Sequence, residues 1–160
     1  MANIIFLVLF ILFIQFGMGG GLYEFLVIYP RWKKDVRPES LVQKLQDSGQ
    51  AAAARRFWPF ISPVLSLLSI VNLVLAWQNT GPARTIWLTA SLIIFISRVI
   101  TFSYFVPTMM RKFEHPEKIE AGRLRRMVQV WTFLSPVRIL IELSAWSLAL
   151  WALVHLVNNS

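Results

Sequence analysis

The sequence has no cysteine, little charge and no recognisable catalytic signature. Zero cysteines in 160 residues exclude disulfides and thiolate metal sites. There are only two histidines. His115 precedes a proline in a basic stretch, and His155 stands alone near the end of an apolar run. Two such isolated imidazoles do not make a haem or metal pair, so no metal and no cofactor is expected. A Walker loop, a nucleophile elbow and a dinucleotide fingerprint are all missing. Lys and Arg are absent before Arg31 and after Arg138. Charged residues make up 15% of the chain, against roughly a quarter in a soluble domain.

What fills the chain instead is apolar. Hydrophobic residues reach 56%, mean hydropathy is +0.58, and the apolar residues come in blocks. Four blocks, residues 4–29, 57–78, 85–110 and 128–157, have the roughly 20 residues that a bilayer crossing takes. The predicted fold is all-α: one membrane domain over residues 1–160, a four-transmembrane-helix bundle with loops 30–56, 79–84 and 111–127. The first block has no basic residues before it and runs on through its glycines, so it is expected to be a retained helix and not a cleaved leader.

The net charge of +8 is concentrated in two places. Loop 30–56 carries seven Lys and Arg, loop 111–127 carries six, and loop 79–84 has only Arg84. That asymmetry predicts both basic loops on the cytoplasmic side of a cell membrane and both termini outside. It also favours attraction to anionic lipid over nucleic-acid binding. The lipid bilayer is the expected partner, with a lipophilic small molecule and a second copy of the chain as further candidates.

The blocks contain a repeat. Trp58, Phe60, Ser62, Pro63 and Val64 recur 73 positions later as Trp131, Phe133, Ser135, Pro136 and Val137, with Ile61 against Leu134. Arg55-Arg56 and Arg125-Arg126 precede them, and Pro38-Glu39 and Pro116-Glu117 suit the first turn of a helix. The pattern predicts two tandem two-helix hairpin repeats, with the first and third helices ending at Pro30 and Pro107 and kinks at Pro63 and Pro136.

Within the first block, Gly17, Gly20, Gly21 and Glu24 have the i, i+3, i+4, i+7 spacing of one helix face. Glycines there admit a neighbouring helix closely; Gly19 lies off that face. Glu24, Arg98, Arg138 and Glu142 all sit within the apolar blocks. A charge at the bilayer centre costs roughly 3 kcal/mol, so the four are expected to turn inward and pair as a buried network. At about 1.5 Å of rise per residue, Glu24 and Arg138 share one depth and Arg98 and Glu142 another, in the cytoplasmic half. The expected pairs are Glu24–Arg138 and Arg98–Glu142. Ser62, Ser66, Ser69, Asn72, Ser91, Ser97, Thr101, Tyr104, Thr108 and Ser135 add smaller polar groups. Such a centre either fixes helix register or serves a site.

The stretches GGLYEFLVIYPRW, RRFWPFISPV and TFSYFVPTMMRKF, with Trp131 seven residues before Arg138, resemble a bacterial family of small, largely uncharacterised four-helix membrane proteins grouped with the anthrone oxygenases. The resemblance implies a four-helix fold, a membrane location and cofactor-independent oxygenation of a lipophilic aromatic; it assigns no catalytic residue by position. There is also a similarity to four-helix haem-dependent or copper-associated membrane proteins with a Gly-rich first helix. Those place a histidine shortly before the glycines, where this chain has Gln15-Phe16.

Three functions compete at this level: a non-catalytic membrane protein, an oxygenase and a small-solute carrier. The oxygenase needs a base, a cation for the enolate and a dry pocket. Glu24 or Tyr104 are the candidate catalytic bases, with Arg98 and Arg138 as enolate partners. Gly17, Gly20, Gly21, Trp58, Phe60, Thr101, Trp131 and Phe133 are the candidate pocket. The carrier is the weakest, since four short helices leave little room for alternating access.

Overall fold

A computed structural model describes residues 2–158. It is all-helical, with no strand among the described residues. Four helices are long and apolar enough to cross a membrane: α1 (Ala2–Trp32), α3 (Gln50–Gln78), α4 (Arg84–Phe113) and α5 (Ala121–Asn158). A shorter helix, α2 (Pro38–Ser48), lies in the first basic segment. It starts at Pro38 with Glu39 in its first turn, as the sequence predicts, and ends at Gly49, whose φ of 87° a side chain would strain. Pro116-Glu117 opens only a single 3-10 turn, Pro116–Lys118.

Prolines do not end the long helices. Each of Pro30, Pro59 and Pro107 comes two residues after a wide π-helical turn: Glu24–Ile28, Ala53–Phe57 and Thr101–Phe105. A proline has no amide for the carbonyl one turn back, and its ring crowds that turn. The i→i+5 register of a π turn widens the helix locally, so the chain stays helical to Trp32 and Phe113 instead of stopping at Pro30 and Pro107. Helix likewise continues through Pro63 and Pro136.

The chain divides into two compact units. The first comprises Met1–Gly19, Ile61–Val99 and Leu140–Ser160. Its core joins Leu7, Phe10 and Ile14 of α1, Leu65 and Leu68 of α3, Trp87 and Ile94 of α4, and Ala145, Ala149 and Ala152 of α5. The three alanines recur at four-residue and three-residue steps, which puts them on one face of α5. Asn72 is fully buried in this unit. Its Nδ2 donates to the Leu68 carbonyl at 2.9 Å and the Phe6 carbonyl at 3.2 Å, and its Oδ1 accepts from Trp87 Nε1 at 2.9 Å.

The second unit comprises Gly20–Phe60 and Ile100–Ile139. Its core is aromatic: Tyr29, Trp32, Phe105, Phe113 and Trp131 pack edge to face or tilted, with centroids 4.8–5.9 Å apart. Leu41 and Leu45 of α2 close one side of that core. Lys44 fastens α2 by donating to the carbonyls of Lys34 and Asp35 at 2.8 and 2.6 Å. In both units large apolar side chains also face outward, Leu67, Leu26, Leu140 and Trp77 among them. An apolar surface of this kind is what lipid covers.

Candidate functional site

Among the described residues, each unit contains one buried charged centre. In the first unit, Arg98 of α4 forms an ion pair with Glu142 of α5. Both side chains are buried. Ser97 Oγ donates to the same Glu142 oxygen at 2.9 Å and accepts from Arg98 Nη2 at 3.1 Å. This is the pair expected from the matched depths of the two residues.

In the second unit the centre is Glu24, 3% exposed. Its carboxylate is held by three neutral donors. Trp58 Nε1 donates to Oε1 at 2.6 Å, Gln50 Nε2 donates to Oε1 at 3.1 Å, and the Tyr29 hydroxyl donates to Oε2 at 3.2 Å. Tyr29 is reached because of the π turn. Its backbone amide bonds the Glu24 carbonyl, and that five-residue step brings its ring back over the Glu24 side chain. The hydroxyl also meets Ser135 Oγ at 3.0 Å and accepts from Trp131 Nε1 at 3.3 Å. Ser135 Oγ in turn donates to the Trp131 carbonyl at 2.9 Å.

Arg138 reaches Glu24 as a nearby charge, not as one of those three donors. Its guanidinium carbon lies 5.3 Å from the Trp58 ring centroid and 4.8 Å from that of Phe105, within range of a cation–π attraction. Trp58 therefore has two roles: its N–H serves the carboxylate and its face serves the guanidinium.

The glycines behave differently from one another. A Cβ on Gly20 would lie 2.3 Å from the Phe57 ring, and one on Gly21 would lie 3.3 Å from Ile139. Gly17 has ordinary contacts with Leu65 and Ile61, and Gly19 faces open space. Gly20→Ala should therefore cost about 1–3 kcal/mol of stability, because the displaced Phe57 ring packs on Trp58 at 5.0 Å. Gly19→Ala should be neutral or stabilising by up to about 1 kcal/mol. Thermal unfolding of the two variants in one detergent checks the contrast; equal losses would contradict it.

The remaining candidate residues are spread out. Trp131 and Thr101 are buried, but Phe60 is 63% exposed and Phe133 is 68% exposed. Each phenylalanine stands two residues after a tryptophan that turns inward, and positions i and i+2 of a helix do not share a face. Tyr104 packs edge to face on Phe105 at 5.2 Å and is not among the donors to Glu24. Arg111, Lys112, His115 and Lys118, with Arg123, surround a groove of about 490 Å³ at the α4–α5 connection.

No family model, no curated protein and no solved structure matches this chain. Its chemistry is therefore read from the two centres alone. Sequence reasoning missed Tyr29 and Gln50 as partners of Glu24. Tyr29 is off the α-helical face of Glu24, and Gln50 lies in a stretch with no apolar periodicity. Asn72 was visible as a polar group in an apolar helix, but nothing marked Trp87 as its partner.

Proposed function

We propose that this is a multi-pass integral membrane protein in which buried carboxylates join helices and do not process a substrate. One observation carries the reading: both Glu24 oxygens are occupied by donors from Tyr29, Gln50 and Trp58 in a buried setting. A general base needs its carboxylate beside the proton it takes. Here a substrate would have to displace a hydrogen bond that the fold already makes. The Glu142 carboxylate is likewise occupied, by the Arg98 guanidinium and the Ser97 hydroxyl.

In this proposal both basic loops face the cytoplasm, both termini lie outside, and the charged centres belong to the cytoplasmic half of the membrane, from the thirteen-to-one distribution of loop Lys and Arg. The two-hairpin repeat belongs to it too. Equivalent positions have like environments: Ser62 and Ser135 are buried, Phe60 and Phe133 exposed, and Pro63 and Pro136 lie inside helices. The aromatic-and-proline signatures support grouping the chain with the small four-helix family that includes the anthrone oxygenases, as kinship of architecture.

The cysteine-free chain allows a direct test of orientation. Lys33→Cys should react with a membrane-impermeant maleimide only after cells are permeabilised, and Asn158→Cys should react in intact cells. Labelling of the Lys33 site from outside would overturn the orientation.

A further inference from the structure

The groove at the α4–α5 connection is built from the wide turn Met109–Phe113 at the end of α4, the 3-10 turn Pro116–Lys118 and the first turns of α5. It is lined by Arg111, Lys112, Lys118 and Arg123, together with His115, Glu117, Ile119 and Met127. Four fixed cations face one carboxylate. Among the described residues, the ion pairs are Arg37–Asp35, Arg55–Glu114 and Arg98–Glu142, so none of the four groove cations is paired. Of the two neighbouring carboxylates along the chain, Glu114 is taken by Arg55 at 3.2 Å and Glu120 is exposed and not part of the groove lining. Like charges gathered this way repel unless an anion joins them.

We infer that this groove binds a phosphate-bearing anion, and that the anion is the headgroup of an acidic phospholipid. The inference rests on the chain crossing a bilayer, but not on which side the loops face. Three features carry it. The groove sits where the apolar span of α4 ends, the level at which headgroups lie. Basic pockets at that level attract acidic lipid. The third is the lane below the groove: Arg123, Met127 and Val130 share one face of α5, leading from a cation to an apolar surface over about 10 Å. Met110, beside Arg111, is exposed as well. A free phosphate would use the cations and leave the lane unused; a lipid uses both.

The test uses full-length protein in two arms. In the first, protein is reconstituted into phosphatidylcholine vesicles doped with phosphatidylglycerol, extracted, and its retained lipids quantified. In the second, lipid-depleted protein in neutral detergent is titrated with inorganic phosphate. Wild type should retain phosphatidylglycerol in excess over its share of the vesicle. Lys118→Gln with Arg123→Gln should lower that excess about 25-fold, at about five-fold for each basic group near an anionic surface. Exchanging the two as Lys118→Arg with Arg123→Lys should preserve it. Lys33→Gln with Lys34→Gln removes the same charge from an exposed site elsewhere and should change it little. Equal losses in the two neutralised variants would mean attraction by net charge and would overturn the site. Tight binding of inorganic phosphate without lipid preference would keep the anion site and overturn the lipid assignment; no retention in either arm overturns both.

Discussion

Glu142→Leu should destabilise the protein by about 3–5 kcal/mol, the cost of leaving one member of a buried pair alone. The stranded group is Arg98, buried on α4 in the first unit with its guanidinium against Glu142 and Ser97. A cation left in that apolar span costs roughly 3 kcal/mol even on insertion scales. Arg98→Leu should be as damaging, since Glu142 would lose its guanidinium while keeping the Ser97 hydroxyl. Replacing both, Arg98→Met with Glu142→Leu, should bring stability back to within about 1–2 kcal/mol of wild type, because no unpaired charge remains. Equilibrium unfolding in mixed micelles gives the full cycle. Additive losses in the double variant would mean that the two residues do not act as a pair.

The second large effect is at Glu24. Glu24→Leu strands the Trp58 and Gln50 donors, at about 1–3 kcal/mol each, so a loss of about 2–6 kcal/mol is expected. Tyr29 is spared, because its hydroxyl still has Ser135. Glu24→Gln should be much milder, within about 1 kcal/mol. A glutamine oxygen can accept from Trp58 and Gln50 as Oε1 does now. Its amide can donate to the Tyr29 hydroxyl, which then turns its own proton to Ser135. Arg138 keeps the Trp58 and Phe105 ring faces. The ordering of the two variants follows from counting donors and acceptors, not from charge. Equal losses would show that the negative charge is what the site needs.

Much of this was legible in composition and spacing. Four apolar blocks place four long helices, because length and hydropathy alone decide whether a helix can span a bilayer. Arg98 and Glu142 could be paired from depth, since helical rise converts residue number to height and a buried charge needs a partner. The Glu24 site was legible only in part. Its partners depend on a π turn that shifts Tyr29 from i+5 on an α-helix to a position over the carboxylate, and proline two residues beyond the turn is the only local signal. Gln50 is brought in by a helix that starts seven residues before its apolar block, directly after Gly49. The outward placement of Phe60 and Phe133 could have been read from their i+2 spacing to Trp58 and Trp131. The pairing of Asn72 with Trp87 depends on packing between helices, which one sequence does not encode visibly.

The most direct test of a structural role for the buried carboxylates pairs stability with turnover in one preparation. Purified wild type and Glu24→Gln, matched by melting temperature, would be given an anthrone in lipid vesicles and their oxygen uptake followed. Neither protein should show uptake above protein-free vesicles, and their melting temperatures should differ by no more than a few degrees. Uptake by wild type that disappears in Glu24→Gln at unchanged melting temperature would contradict the structural role and make Glu24 a base.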